Sequence, residues 1–76
     1  MKPIQCKMAR VALNWGVRDL AREADVSPDT VARFERGEQL RAATITKLRA
    51  TMERGGVVFI PQDGLGPGVR LREPVG

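Results

Sequence analysis

The side chains of this chain that could do chemistry are mainly its basic ones. Thirteen Lys and Arg residues stand against nine Asp and Glu residues, which gives a net charge of +4 and a pI near 10.2. Guanidinium and ammonium groups pair with phosphates, so this balance favours a polyanionic partner, of which nucleic acid is the commonest. The excess is modest, and a basic surface exposed to water accounts for it equally well. Charge alone leaves both interpretations open.

Residue types suited to catalysis or metal binding are scarce. The chain has one cysteine, Cys6, and no histidine. A single thiol cannot form an internal disulfide, and without a histidine beside it a cysteine is a poor nucleophile or metal site. No glycine-rich phosphate loop follows a strand. We therefore expect no enzymatic activity, no metal and no cofactor, and we expect Cys6 to be a packed or half-exposed helix residue.

The length of 76 residues limits the chain to one small domain. A domain of this size buries only about 60% of the surface of its unfolded chain, so a second copy would add useful core. Length alone thus favours a dimer. No apolar run approaches the roughly 18 residues of a membrane span, and no signal-peptide pattern is present. We expect no membrane association and a cytoplasmic location.

The elements that must position the basic residues begin with a helix over Pro3–Trp15. Pro3 is acceptable in a first helical turn, and Gly16 can serve as a left-handed C-terminal cap. Large apolar residues recur at spacings of four, three and four, which is one helical face. We expect that face to pack inward, and its members are Ile4, Met8, Val11 and Trp15.

Two short helices follow, joined by a tight turn. The first of them, Val17–Ala24, begins without a Ser or Thr cap. Asp25 lies at the turn, where a positive φ is often needed and Asp tolerates it better than most residues. Ser27 is a good N-cap, and the Pro and Asp after it favour a helix start. Gly37 ends that helix. The expected inward residues are Leu20, Ala21, Ala24, Val26, Val31 and Phe34.

A fourth helix and a hairpin complete the predicted architecture. The helix is expected over Ala43–Arg54, with Gly55 and Gly56 ending it. Beyond it, the apolar VVFIP, the turn cluster QDGLGPG and the alternating VRLR predict two strands joined as a hairpin. The fold class is therefore mostly α, with four helices over residues 1–55 and a β-hairpin over residues 56–76.

Two short helices joined by a tight turn, the second strongly capped, form a helix-turn-helix. A single helix fits the major groove of double-stranded DNA, and residues in its first turns reach base edges. This arrangement makes double-stranded DNA the partner that the elements favour.

The segment LAREADVSPDTVARFERGE, residues 20–38, resembles the XRE-type, lambda-repressor-like helix-turn-helix of phage repressors, Cro proteins and bacterial regulators. The resemblance extends over about Ile4 to Arg54. Two departures are Gly16-Val17, where the family often has Ser-Gln, and Asp25, where it usually has Gly. The matching positions are Leu20, Ala21, Val26, Ser27, Val31, Phe34 and Glu35–Gly37.

The resemblance implies that the third helix, about residues 28–36, enters the major groove. Arg33 would read a base, because a bidentate contact from Arg to guanine is the commonest specific contact. Asp29 would accept from a cytosine amino group or only cap its helix, and Pro28 would pack on a methyl group or only start the helix. The implied base-contacting set is Ser27, Pro28, Asp29, Thr30 and Arg33.

Flanking residues are implied at phosphates, which position a protein without reading sequence. With Val17 in place of a polar residue, the contact there rests on a backbone N–H and on Arg18. A solvated surface role is the alternative for each arginine. The implied phosphate set is Val17, Arg18, Arg36 and Arg41. The resemblance also implies an ion pair between Arg10 and Glu35 that joins the first helix to the recognition helix.

The VVFI segment is too apolar to lie exposed as a lone edge strand. It could fold back on the fourth helix or pair with the same strand of a second chain. Cro-like relatives dimerise through a C-terminal strand, so the resemblance favours a homodimer with recognition helices about 34 Å apart on an inverted repeat. The expected interface residues are Val57, Val58, Phe59, Ile60, Val69 and Leu71.

The resemblance implies a sequence-specific transcriptional regulator, a repressor, encoded by a bacterium, a phage or another mobile element and bound to the nucleoid. Nothing beyond the helices and hairpin is long enough to form an effector pocket, so no small-molecule ligand is expected. The alternative is an antitoxin or anti-activator that uses the same fold to bind a protein partner, through a hydrophobic hairpin surface.

Overall fold

The computed structural model of the protein describes residues 1–76. Four helices are followed by a two-stranded antiparallel hairpin, so the predicted mostly α architecture is confirmed. No helix has both the length and the apolar character needed to cross a membrane. The elements are α1 (Pro3–Ala12), α2 (Val17–Ala24), α3 (Pro28–Glu35), α4 (Ala42–Gly55), β1 (Val57–Ile60) and β2 (Gly68–Leu71).

The first helix ends earlier than its sequence predicts. α1 stops at Ala12, and Asn14 takes the left-handed conformation, with a φ of 59°. Gly16 has a φ of −79° and is the extended N-cap residue of α2, so its predicted role as the cap of α1 was wrong. Asn is one of the few residues besides Gly that enters the left-handed region readily, and it made the earlier turn possible.

The face of α1 that packs inward also differs from the predicted one. Gln5, Cys6 and Ala9 are buried, whereas Ile4 and Val11 are 55% and 68% exposed. The prediction that the large apolar residues face inward was therefore wrong for these two residues, whereas Trp15 is partly buried against the core as predicted. The small side chains of Cys6 and Ala9 on the buried face let α1 lie close to its neighbours, and the two large side chains are left on the solvent side. The predicted inward face was Ile4, Met8, Val11 and Trp15.

The helix-turn-helix follows its sequence prediction closely. Asp25 closes α2 in the left-handed conformation, with a φ of 56°. Ser27 caps α3, its Oγ accepting the backbone N–H of Thr30 at 3.1 Å. Residues from both helices enter one core that they share with α1, α4 and β1. The buried members of that core are Cys6, Ala9, Leu20, Ala21, Ala24, Val31, Phe34, Leu48, Met52, Val57 and Phe59.

The fourth helix extends one residue further at each end than the predicted Ala43–Arg54. Leu48 and Met52 are fully buried along it. Gly56 ends α4 in the left-handed region, with a φ of 117°, and leads directly into β1. The hairpin is therefore attached to the core helix without an intervening loop.

The hairpin pairs β1 with β2 in a register that runs from Val57 opposite Leu71 to Ile60 opposite Gly68. It is tied to α1 by the buried side chain of Gln5. The amide Nε2 of Gln5 donates to the carbonyl oxygens of Ile60 and Gly68, each at 3.0 Å. One buried side chain thus joins α1 to both strands at the turn end of the hairpin.

Candidate nucleic-acid interface

α3, the predicted recognition helix, is anchored on one side and open on the other. Val31 and Phe34 fix it in the core. Helical periodicity places Asp29 and Arg33 one turn apart on the opposite, solvent-facing side. The residues predicted to contact bases all lie at the cap or in the first two turns of α3. Ser27, Pro28 and Asp29 are exposed, and Thr30 and Arg33 are partly exposed.

Local hydrogen bonds divide these residues into engaged and free ones. Ser27 Oγ lies 2.8 Å from Thr30 Oγ1 and also caps the helix, so both hydroxyls are held in place. Pro28 and Asp29 contribute no side-chain hydrogen bond to the rest of the chain. The carboxylate of Asp29 therefore faces solvent beside the positive end of the α3 dipole.

Arg33 of α3 and Arg36, the C-cap residue of that helix, share a carboxylate that sequence reasoning missed. Arg33 Nε lies 3.1 Å from Glu38 Oε1, and Arg36 Nη2 lies 2.8 Å from Glu38 Oε2. Hydrogen bonds from Arg36 and then from Arg33 lower the pKa of Glu38 below its ordinary value. Gly37, with a φ of 93°, turns the chain back so that Glu38 reaches both arginines. Its position directly after the helix-ending glycine was the available sequence signal.

The start of α2 has a cap that the sequence reasoning did not recognise. Asp19 Oδ2 accepts the backbone N–H of Gly16 at 2.7 Å, and its other oxygen pairs with Arg22 at 2.9 Å. The bond from Gly16 and then the bond from Arg22 lower the pKa of Asp19. Val17 is the first residue of α2, and Arg18 beside it is exposed with no hydrogen bond from its side chain.

Arg41 lies near α3 although it comes eight positions after Arg33 in the sequence. It is the exposed N-cap residue of α4, and its guanidinium makes no hydrogen bond within the chain. A shallow depression between α3 and the start of α4 brings together a predicted phosphate contact and two predicted base contacts. Its lining residues are Thr30, Arg33, Gln39, Leu40, Arg41 and Thr44.

The angle between α1 and α3 is fixed by a nearly buried ion pair. Arg10 Nε and Nη2 lie 2.7 and 2.8 Å from the two carboxylate oxygens of Glu35. Their side chains are only 11% and 9% exposed. Arg10 Nη1 also donates to the carbonyl oxygen of Trp15 at 3.1 Å, and the Cys6 thiol lies 3.3 Å from Glu35 Oε2. One arginine thus connects α1, the loop before α2 and the end of α3.

Burial and charge act in opposite directions on this group. Burial alone would raise the pKa of the Glu35 carboxyl, but hydrogen bonds from Arg10 and Cys6 and the charge of Arg10 hold it below its ordinary value. The bond to Glu35 raises the pKa of Arg10. Burial first, and then the charge of Glu35, raises the pKa of the Cys6 thiol to about 12. Glu35 is therefore an ionised acceptor and Cys6 a neutral donor at neutral pH.

The geometry of this region agrees with an independent comparison. A model of the helix-turn-helix family matches residues 7–54, which is more than half of the chain and spans most of α1 through α4. The chain belongs to the XRE-type helix-turn-helix family. Comparison with curated proteins gives no match.

Family membership settles the broad class of the site. As an XRE-type helix-turn-helix, this chain has a DNA-binding domain of the kind found in regulators, with the lambda-repressor-like fold. α2 and α3 are its two motif helices, and α3 stands in the recognition position. The exposed face of α3 is thus the candidate surface for base contacts.

The family match ends at residue 54, before the hairpin, where the residues predicted for a dimer interface fall into three groups. Val57 and Phe59 are 2% and 8% exposed and pack in the protomer's own core, so their side chains are occupied there. Val58 and Ile60 point outward and are 40% and 36% exposed. The β2 residues Val69 and Leu71 are partly buried against the core.

Proposed function

We propose that this protein is a sequence-specific transcriptional repressor that places α3 in the major groove of an inverted-repeat operator. One observation carries the proposal. The outer face of α3 is open at Pro28, Asp29, Thr30 and Arg33, and the exposed guanidinium groups of Arg18 and Arg41 make no hydrogen bond within the chain. A helix face with polar side chains suits base edges, and unpaired cations suit phosphates.

Each side chain has a role in this proposal. Arg33 donates to guanine, and Thr30, with Ser27 and Pro28 beside it, lines the groove. Asp29, which is free of internal bonds, accepts from a cytosine amino group. The phosphate contacts are assigned to the backbone N–H of Val17 and to Arg18, Arg36 and Arg41.

The proposed assembly is a two-fold dimer formed through the hairpin. The N–H of Arg72 donates to the carbonyl oxygen of Gly56 at 2.8 Å, so the hydrogen-bonded pairs of the ladder include Val58 with Arg70. In an antiparallel ladder the alternate residues Val57 and Phe59 then direct their N–H and C=O groups to the other edge of β1. The sheet has only two strands. An edge strand with unpaired backbone groups favours pairing with a second chain.

Outward-facing side chains support the same assembly. Val58 and Ile60 form an apolar outer face on β1, beside the unpaired edge. Pairing of two β1 strands would cover both features in each protomer. A dimer of this kind places two recognition helices about 34 Å apart, which is one turn of DNA. Repression would follow from occupancy, because the bound dimer blocks access of polymerase to an overlapping site.

A selection from random-sequence duplexes tests the DNA-reading role of Arg33. Wild-type protein should enrich a defined inverted repeat, and Arg33→Ala should lower affinity for it about tenfold to a hundredfold, the range expected for one lost base contact. Fluorescence anisotropy measures the affinity of each protein for the enriched duplex and for a scrambled duplex.

The matched control for that experiment is Arg54→Ala, which removes the same charge from the last turn of α4. Arg54 lies about 20 Å along the helix from the end that holds Arg41. It should leave the affinity nearly unchanged. Equal losses in Arg33→Ala and Arg54→Ala, or no enriched sequence at all, would remove the proposal of sequence-specific reading.

A second candidate function is an interaction protein of antitoxin or anti-activator type. The apolar stripe on the solvent side of α1 favours it, because Ile4 and Val11 are more than half exposed. In that case DNA binding would be secondary. Selection of no DNA sequence, together with retained folding, would favour this candidate over the repressor.

A further inference from the structure

The residue after the turn that ends α3 is an acid held against the recognition helix. The backbone N–H of Glu38 donates to the carbonyl oxygen of Arg33 at 3.0 Å, which fixes the start of the turn. Its carboxylate then lies between Arg33 and Arg36. Both arginines are expected to meet the negative charge of DNA. A carboxylate between them lowers that attraction, so general attraction to DNA does not explain the position of Glu38.

The atoms used by the two arginines differ. Arg33 is bonded to Glu38 through Nε alone, so both terminal amino groups, Nη1 and Nη2, have no partner in the chain. Arg36 is bonded through Nε at 3.2 Å and through Nη2 at 2.8 Å. Glu38 therefore binds the Nε edge of the Arg33 guanidinium and leaves its two terminal amino groups free.

Arg33 has another acid within reach of its position on the helix. Asp29 lies four residues earlier, on the same face, where an ion pair between helix neighbours is common. The structure has Arg33 on Glu38 and leaves Asp29 free. This choice directs the guanidinium toward the C-terminal end of α3 and keeps the Asp29 carboxylate open for a separate contact.

We propose that Glu38 is a specificity-determining positioning residue, which holds Arg33 for end-on contact with a guanine and weakens the contact of Arg36 with phosphates. This inference rests on the proposed DNA-reading function. The free Nη1 and Nη2 match the two acceptors, O6 and N7, of a guanine edge. Arg36 keeps only Nη1 for a phosphate, with its charge offset by Glu38.

The two effects of Glu38 act on different kinds of DNA. Holding one Arg33 conformation favours the correct sequence, because less side-chain freedom is lost when the base contact forms. Offsetting the charge of Arg36 reduces attraction to any sequence, since non-specific binding is almost entirely electrostatic. Both effects raise the ratio of specific to non-specific affinity.

Glu38→Gln removes the charge and weakens both ion pairs while keeping the shape of the side chain. The residue is exposed, so the fold should persist, which circular dichroism can verify. We expect affinity for the selected duplex to fall about threefold and affinity for a scrambled duplex to rise about threefold. The ratio between them should then drop about tenfold, and the salt dependence for the scrambled duplex should steepen by about one unit.

Glu53→Gln is the matched control. Glu53 is paired with Arg49 at 3.3 Å, its side chain is about as exposed as that of Glu38, and it lies near the C-terminal end of α4. It makes the same change in net charge. Because it holds no residue of the recognition helix, it should shift the two affinities together and leave their ratio intact.

An NMR measurement on the free protein gives a readout independent of DNA. The Nε–H resonance of Arg33 should be shielded from solvent exchange in wild-type protein and lose that protection in Glu38→Gln. Unchanged exchange would overturn the positioning role. So would equal ratios for Glu38→Gln and Glu53→Gln when Arg33→Ala abolishes selective binding. If wild-type protein itself does not distinguish the two duplexes, the proposed function fails first and takes this inference with it.

Discussion

At the scale of single residues, the arginines of this chain differ in how strongly a carboxylate holds them. Arg10 is committed to Glu35 at two nearly buried positions, whereas Arg18 and Arg41 have no partner at all. Arg33 and Arg36 stand between these extremes, because their partner Glu38 is exposed and such pairs are weak. Nearly buried pairs hold the fold, and weak or absent pairs leave guanidinium groups available for phosphates and bases.

The Arg10–Glu35 pair predicts how stability depends on pH. Because the pKa of Glu35 is lowered in the folded state, its contribution is present above the ordinary value of 4.5 and is lost as pH falls through the lower folded value. Arg10→Met should reduce the free energy of unfolding at pH 7 by about 3 kcal/mol, since it leaves a nearly buried carboxylate without its cation.

Arg10→Met removes the hydrogen bonds and the charge that lower the pKa of Glu35, so burial raises that pKa in the variant. The stability difference between wild type and variant should therefore shrink as pH falls from 7 to 4, and denaturant unfolding at several pH values measures it. Asp19 and Glu38 also have lowered pKa values, but they contribute to both proteins and cancel. A difference that stays constant with pH would contradict the role of this pair.

At the scale of elements, the motif helices were predictable, whereas the end and the buried face of the first helix were not. Ser27 and the turn at Asp25 specify α2 and α3 through local chemistry that sequence displays directly. α1 buries Gln5, Cys6 and Ala9, and no rule of apolar spacing selects a face made of small and polar residues over a stripe of large ones. Apolar spacing also does not predict the contact of Glu38 with Arg33 and Arg36. That contact depends on the reversal of the chain at Gly37, which has a positive φ.

The turn between the motif helices carries the second test of stability. Asp25 occupies the left-handed region, where a Cβ is unfavourable and only Gly is free of strain. Asp25→Gly should raise the free energy of unfolding by about 0.5 kcal/mol, and Asp25→Ala should lower it by about 1 kcal/mol. Urea denaturation distinguishes the two, and a stabilising Ala substitution would show that the turn is not strained.

At the scale of the whole molecule, the helices and hairpin share one core but present separate surfaces. β1 sends Val57 and Phe59 into the core and directs Val58 and Ile60 outward. The same short strand therefore completes the protomer, and its free edge and outer face are the surfaces that the proposed dimer would use. The sequence indicates that the apolar VVFI segment must be buried against something. Only the structure shows that Val57 and Phe59 are already buried within the protomer.

The proposed dimer predicts a specific effect of an outward substitution. Wild-type protein should sediment as a dimer at micromolar concentration, and Val58→Asp should yield folded monomer, because a buried unpaired carboxylate opposes the interface. Leu65→Asp is the control, since Leu65 is 81% exposed in the hairpin turn and lies off the strand edge. Monomeric wild-type protein, or dimers that survive in Val58→Asp, would refute this assembly.

One feature of the fold couples these surfaces. α1 is tied to the hairpin through Gln5 and to α3 through Arg10, so a single short helix spans from the proposed dimer contact to the reading helix. Side-chain hydrogen bonds near both ends of α1 therefore hold the hairpin and α3 in a fixed relative position. One base pair inserted between half-sites turns the second site by about 35° around the DNA axis. Because both contacts fix α1, we expect the proposed dimer to tolerate little of that rotation and to lose affinity sharply when the spacing between half-sites is changed.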